Sequence, residues 1–135
     1  MHLAVTDAHA LIWATTGQLR RLGRKARAFF DRVETGDAVL YVPTHVLLEM
    51  GEAHAAGDFA FAGGHSFDAW VERLTHSGRY VPVELSIDVV RRAQDFYDIP
   101  ERGDRIVAAT ASVLECAVVT RDPAIGRMAG VETIW

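Results

Sequence analysis

The sequence predicts an α/β protein built on a parallel β-sheet. Short apolar runs alternate along the whole chain with stretches whose apolar residues recur at helical spacing, and turn-forming residues fall between them. No repeat or low-complexity tract breaks the alternation. Its 135 residues suit a single domain spanning 1–135, and half are hydrophobic, enough for a substantial core.

The elements follow in order. Leu3 to Thr6 is short and apolar and ends in Asp7, which suits a buried strand followed by an apolar helix from Ala8 to Trp13. Leu22, Ala26, Phe29, Phe30 and Val33 mark one face of a second helix, and Gly36-Asp37 punctuates it. Ala38 to Val42 is a second strand. Thr44 is placed to cap a helix carrying Val46, Leu47, Met50 and Ala53. Gly57 to His65 is rich in Gly and Ala and reads as the loosest connection. Ser66 caps a helix with Phe67, Trp70, Val71 and Leu74 on one face. Tyr80 to Val83 forms a third strand, and Ser86 caps the helix bearing Val89, Val90, Ala93 and Phe96, which Pro100 stops. Asp104 opens a helix that runs to Leu114, Ala117 to Thr120 is a fourth strand, and Val131 to Ile134 a fifth.

Strands one, two and four are almost wholly apolar, as strands covered on both faces are. The third carries Pro82, which cannot complete a ladder on one side, and the fifth is half polar, so both suit edges. The order 3-2-1-4-5 satisfies these constraints, with right-handed crossovers. Winding then reverses between strands one and four, where open α/β sheets bind ligands at the strands' carboxyl ends. Asp7 and Asp122 are placed to face each other there.

Composition excludes several classes. No apolar run is long enough to span a bilayer. The segment Met1 to Asp7 lacks the basic and apolar regions of a secretory signal, and the lone Cys116 reads as a small buried residue, so a cytoplasmic location is expected. The formal net charge of −4 is not that of a protein gripping nucleic acid by bulk charge. Thirteen of its fourteen Lys and Arg residues are nevertheless Arg, the residue suited to forked phosphate contacts. Arg20, Arg21, Arg24, Lys25 and Arg27 are clustered, while Arg102, Arg105 and Arg121 neighbour acids. A solvated helix face accounts equally well for the cluster.

Four acids carry the chemistry, though each has a local explanation. Asp7 can be a helix N-cap, Asp104 a first-turn acid favoured by the helix dipole by about 0.3–1 kcal/mol, and Asp122, before Pro123, a turn former. Glu49 can be a solvated helical acid, although it interrupts an apolar stripe. None of these explanations predicts that the acids converge. Converging carboxylates repel unless protonated or joined by a cation. Mg²⁺ or Mn²⁺ suits oxygen ligands, and such a site can activate water against a phosphodiester.

These residues resemble a known family. Asp7-Ala8-His9-Ala10-Leu11-Ile12-Trp13 is similar to the D-T-H-A-L-L-W opening of VapC-like PIN domains, toxins of type II toxin–antitoxin systems. Glu49 falls where that family has a helical glutamate, Gly103 to Ala111 resembles its D-R-x-x-A-A-x-A helix, and Val118-Val119-Thr120-Arg121-Asp122 resembles its V-T-R-D strand end. The resemblance covers essentially the whole chain. It implies a three-layer α/β/α PIN-like fold with a five-stranded parallel sheet. It implies a Mg²⁺- or Mn²⁺-dependent endoribonuclease whose catalytic and metal-holding acids are Asp7, Glu49, Asp104 and Asp122, with Thr120 in support. It also implies an RNA substrate, homodimers and a VapB-like antitoxin. Arg20, Arg24, Arg102, Arg105 and Arg121 are the candidate RNA contacts. Two departures stand out: Ala8 replaces a usual Thr or Ser, and Glu101-Arg102 replaces a usual Asp-Pro.

Other chemistries fit less well. His45 and Glu49 share a helix face, but no H-E-x-x-H completes a zinc site. A receiver-type signalling domain needs a late lysine, and Lys25, the only lysine, comes early. A PIN domain that binds RNA or protein without cutting is the remaining alternative. Trp13, Trp70 and Trp135 read as core or dimer contacts; base stacking is the alternative, with no sequence pattern to support it.

Overall fold

The computed structural model describes residues 2–135. Its five-stranded sheet has the order β3-β2-β1-β4-β5, all neighbours parallel, with β1 His2–Thr6, β2 Ala38–Pro43, β3 Tyr80–Val83, β4 Ala117–Val119 and β5 Thr133–Ile134. The helices are α1 Ala8–Thr15, α2 Arg24–Thr35, α3 Thr44–Ala55, α4 Phe67–His76, α5 Ile87–Ala93, α6 Arg102–Leu114 and α7 Pro123–Ala129. This is the three-layer, PIN-like α/β/α arrangement, and both strands placed at edges from their polarity are at edges.

Burial explains the order. Ala4, Val5, Leu40, Val42 and Val118 in the central strands are fully buried, whereas β3 and β5 are partly exposed. Helix α2 buries Ala26, Phe29, Phe30 and Val33, and Gly36 ends it at φ 87°, where a Cβ would be strained. Helix α6 buries Ile106 through Ala111, and small alanines let it lie close to the sheet. Full burial of each large aliphatic side chain contributes about 1.5–3 kcal/mol.

Ser66 and Ser86 cap α4 and α5 through bonds from the Ala69 and Val89 amides. Thr44 is not a cap: β2 runs straight into α3, Pro43 takes the cap position without a side-chain bond, and Thr44 is already helical. Nor is 57–65 a loose connection. Phe61 is buried and stacks on Trp70 with ring centroids 4.7 Å apart, and Phe59 packs edge-on to it, so the small residues frame an aromatic clasp. Cys116 is only half-buried. Asp122-Pro123 begins helix α7 rather than a simple turn, because an N-cap acid followed by Pro at the first helical position is also a helix start.

Candidate active site

The carboxyl ends of β1 and β4 open into a cleft of about 500 Å³ at the switch point. Asp7, Glu49, Asp104 and Asp122 all line it, joined by Glu101. Its lining also includes His9, Trp13, Arg121 and Trp135.

Each acid is delivered by its own element. Asp7 follows β1, and its amide donates to the Val119 carbonyl at 3.3 Å, which ties it to the end of β4. Its Oδ1 accepts the Ala10 amide at 2.9 Å as the N-cap of α1, and its Oδ2 accepts the Thr120 hydroxyl at 2.6 Å. Asp122 Oδ1 caps α7 through the Ala124 amide at 2.9 Å, and the Thr120 hydroxyl also accepts the Asp122 amide at 3.1 Å. Thr120 therefore links two of the acids. Asp104 stands in the first turn of α6. Glu49 arrives from α3, with its Oε1 3.3 Å from His45 Nε2.

Gly103 makes room for Glu49. A Cβ on Gly103 would lie 2.5 Å from Glu49 Oε1 and 3.2 Å from its Cδ. The glycine before Asp104 is thus a cradle for a carboxylate from another helix.

The electrostatics bear the mark of crowded anions. Burial raises the Asp7 carboxyl, Asp122 raises it further, and the Thr120 hydroxyl, the Ala10 amide and His9 oppose the rise. Burial also raises Glu49, against His45 and His9. Asp104 is pushed up to about 7 by burial, then by the neighbouring Asp122 carboxylate, and by Asp7 and Glu49. Asp104 would stay partly protonated near neutrality unless a cation joined it.

Four carboxylates brought to one cleft by separate elements are a hard oxygen donor set of the kind Mg²⁺ or Mn²⁺ takes. Among the described residues, no three His, Cys, Asp or Glu side chains stand as a finished metal cage. Magnesium keeps several waters and needs only one or two carboxylates, so the donors fit it without such a cage.

The arginines separate into groups. Arg121 lines the cleft and lies over the Trp13 ring, its guanidinium carbon 5.1 Å from the centroid. Arg21 lies over the same ring at 4.6 Å. Arg20, Arg24 and Arg102 are exposed and do not line the cleft. The Arg105 guanidinium donates to the Ile99 and Pro100 carbonyls at 2.6 and 2.7 Å and lies over Tyr97, bracing the loop before α6. Sequence reasoning missed the role of Gly103, although a glycine in a helical first turn was a signal for it.

No family model matches the chain, and no curated protein does. Solved structures do. The chain is similar to one in VapBC2 from Rickettsia felis bound to a DNA fragment from its promoter, with TM-score 0.69 and 10% identity over 97% of this chain and 96% of the other. It is also similar to one in FitAcB from Neisseria gonorrhoeae, with TM-score 0.63 and 19% identity over 97% and 95%. A toxin–antitoxin complex from Klebsiella pneumoniae gives TM-score 0.54 and 18% identity over 88% and 86%. At these identities the likeness is one of fold, and it extends over nearly the whole chain in the first two.

Proposed function

We propose that this chain is a VapC-like PIN-domain endoribonuclease, the toxin of a toxin–antitoxin pair. The observation that carries this is the meeting of Asp7, Glu49, Asp104 and Asp122, far apart in sequence, in one cleft at the switch point of a PIN-like sheet. The solved relatives in fold are toxin–antitoxin complexes, which supports a VapB-like antitoxin as partner. Exposed Ile87 and Tyr97, at 67% and 61%, offer apolar surface for a homodimer or the antitoxin. No helix among the described residues is long and apolar enough to cross a membrane.

Mg²⁺ or Mn²⁺ would be held by Asp7, Glu49, Asp104 and Asp122, one or two of them directly and the others through the ion's waters. Bound there, the ion would supply an activated water and charge neutralisation at the phosphodiester. The chain's own residues do the rest. Thr120 and the Ala10 amide hold both Asp7 oxygens, which fixes that carboxylate's orientation. Asp104 would be one of the carboxylates facing the ion, and its raised proton affinity in the ion-free site marks where a cation's charge would be compensated. Arg121 sets a fixed positive charge at the cleft's mouth, where the RNA backbone would enter.

The test is cleavage of structured and unstructured RNA by antitoxin-free protein in Mg²⁺, Mn²⁺ or EDTA, beside Asp7→Asn. Cleavage that requires metal and disappears in the variant is expected. Metal binding at this site without cleavage of any RNA would favour a non-catalytic PIN module instead.

A further inference from the structure

The aromatic part of the cleft's lining has work of its own. Trp135 is held in place by its backbone: its carbonyl accepts the amides of Lys25 at 2.8 Å and Ala26 at 3.3 Å, at the start of α2. The preceding residue is tied to the sheet, with the Ile134 carbonyl accepting the Thr120 amide at 3.3 Å. Its indole lies against Gly23, where a Cβ would come within 2.6 Å of Cδ1 and 2.8 Å of Nε1. The ring also lines the acidic cleft and is only partly buried. Trp13 beside it is buried and carries Arg21 and Arg121 over its ring, so its faces are occupied. It meets Trp135 edge-on, with centroids 6.0 Å apart.

A site that handled only phosphate and metal would need no aromatic surface. Here a partly exposed indole shares the lining of one cleft with the carboxylates and with Arg121. A nucleotide has the same mixed character, with an anion at one end and a flat apolar base at the other. We infer that Trp135 is a stacking platform for an unpaired nucleobase next to the scissile phosphate, with Gly23 and the start of α2 as its mount. Stacking on an aromatic side chain tolerates every base, so this subsite selects unpaired over paired RNA rather than one sequence. The inference rests on the nuclease reading only in taking the cleft as the RNA site.

Indole N–H signals of the isotope-labelled full chain test it directly. They are assigned with single Trp→Phe variants and titrated with 5′-AMP or ribose 5-phosphate in Mg²⁺. The expected result is a shift of the Trp135 signal by 5′-AMP alone, with Trp70 unmoved. Trp135→Leu should weaken 5′-AMP binding about tenfold and leave ribose 5-phosphate binding unchanged. Gly23→Ala, whose methyl group would push on both the backbone and the indole of Trp135, should act in the same direction. Equal responses to the two ligands, or a Trp135→Leu protein that binds 5′-AMP as tightly as before, would overturn the inference. Metal-dependent cleavage without a base-specific response removes the platform and keeps the nuclease. A base-specific response in a protein that cuts no RNA keeps the platform and removes the nuclease.

Discussion

Replacing Asp104 with Asn should stabilise the metal-free protein above neutral pH and do nothing near pH 4. The folded-state carboxyl is pushed from 3.8 to about 7 by burial and by Asp122, Asp7 and Glu49. Between those values the folded chain binds a proton that the unfolded chain lacks, so stability falls as pH rises through this window. Below it both states are protonated and no penalty exists; above it the full penalty applies. A tenfold change in an ionisation constant is about 1.4 kcal/mol, so complete desolvation would give about 4 kcal/mol. Asp104 is half-exposed to a solvent-filled cleft, and screening reduces this to about 1–2 kcal/mol. For a chain of this length that is about 3–8 °C in Tm. Thermal unfolding in EDTA at pH 4, 6 and 8 measures it. Added Mg²⁺ should raise the Tm of the natural protein more than that of the variant, because the ion removes the same repulsion. A variant less stable than the natural protein at pH 8, or a pH-independent difference, would refute the argument that crowded anions raise this group.

Four further outcomes are expected. Gly103→Ala places a methyl group where Glu49 Oε1 now lies, and the displaced carboxylate should reduce RNA cleavage on the order of 10²-fold with little change in Tm, as measured by initial rates. Thr120→Val removes the hydroxyl that lowers the Asp7 carboxyl, so the acid limb of a pH–rate profile should move to higher pH; an unmoved limb would show that this bond does not tune Asp7. Phe61→Ala should cost about 3–5 kcal/mol in denaturant unfolding, because the ring is buried and stacked on Trp70. RNA affinity should depend shallowly on salt, since Arg121 is the cation at the cleft while the remaining arginines are dispersed and the net charge is −4; a steep slope would mean that the Arg20–Arg27 cluster joins the grip.

Most of the fold was legible because burial imposes itself on composition. Strands covered on both faces must be apolar, so β1, β2 and β4 declared themselves central, and Pro82 and the polar residues of the last strand marked edges. Helix starts were legible where a side chain supplies the capping oxygen, as at Ser66 and Ser86. They were misread where it does not: at Pro43-Thr44 the strand passes directly into the helix. The aromatic clasp of Phe59, Phe61 and Trp70 was hidden because ring stacking across a loop leaves no periodic trace. The same holds for Gly23 and Gly103, whose value lies in what approaches them from distant sequence. Arg105 illustrates the converse, since its neighbours in sequence suggested a nucleic-acid contact, whereas its guanidinium meets two carbonyls of its own loop.

The local explanations of the acids and their convergence prove compatible, and the reason is atomic. A carboxylate has about four lone-pair positions on its two oxygens. In Asp7 the helix cap uses one on Oδ1 and the Thr120 hydroxyl one on Oδ2. Both bonds restrain rotation and leave a lone pair on each oxygen. Asp122 uses one Oδ1 position for its own cap. Capping therefore does not compete with metal binding in these residues; it orients the carboxylates that would perform it. If so, removing the cap partner should matter as much as the carboxylate's charge. Ala10→Pro would delete the amide that Asp7 Oδ1 accepts but would also disturb the helix, whereas Thr120→Val deletes the Oδ2 partner, together with the acceptor of the Asp122 amide, and leaves the helix intact. Mg²⁺ affinity measured calorimetrically on Thr120→Val should therefore fall even though every carboxylate remains, and an unchanged affinity would mean that orientation by these bonds contributes nothing to the site.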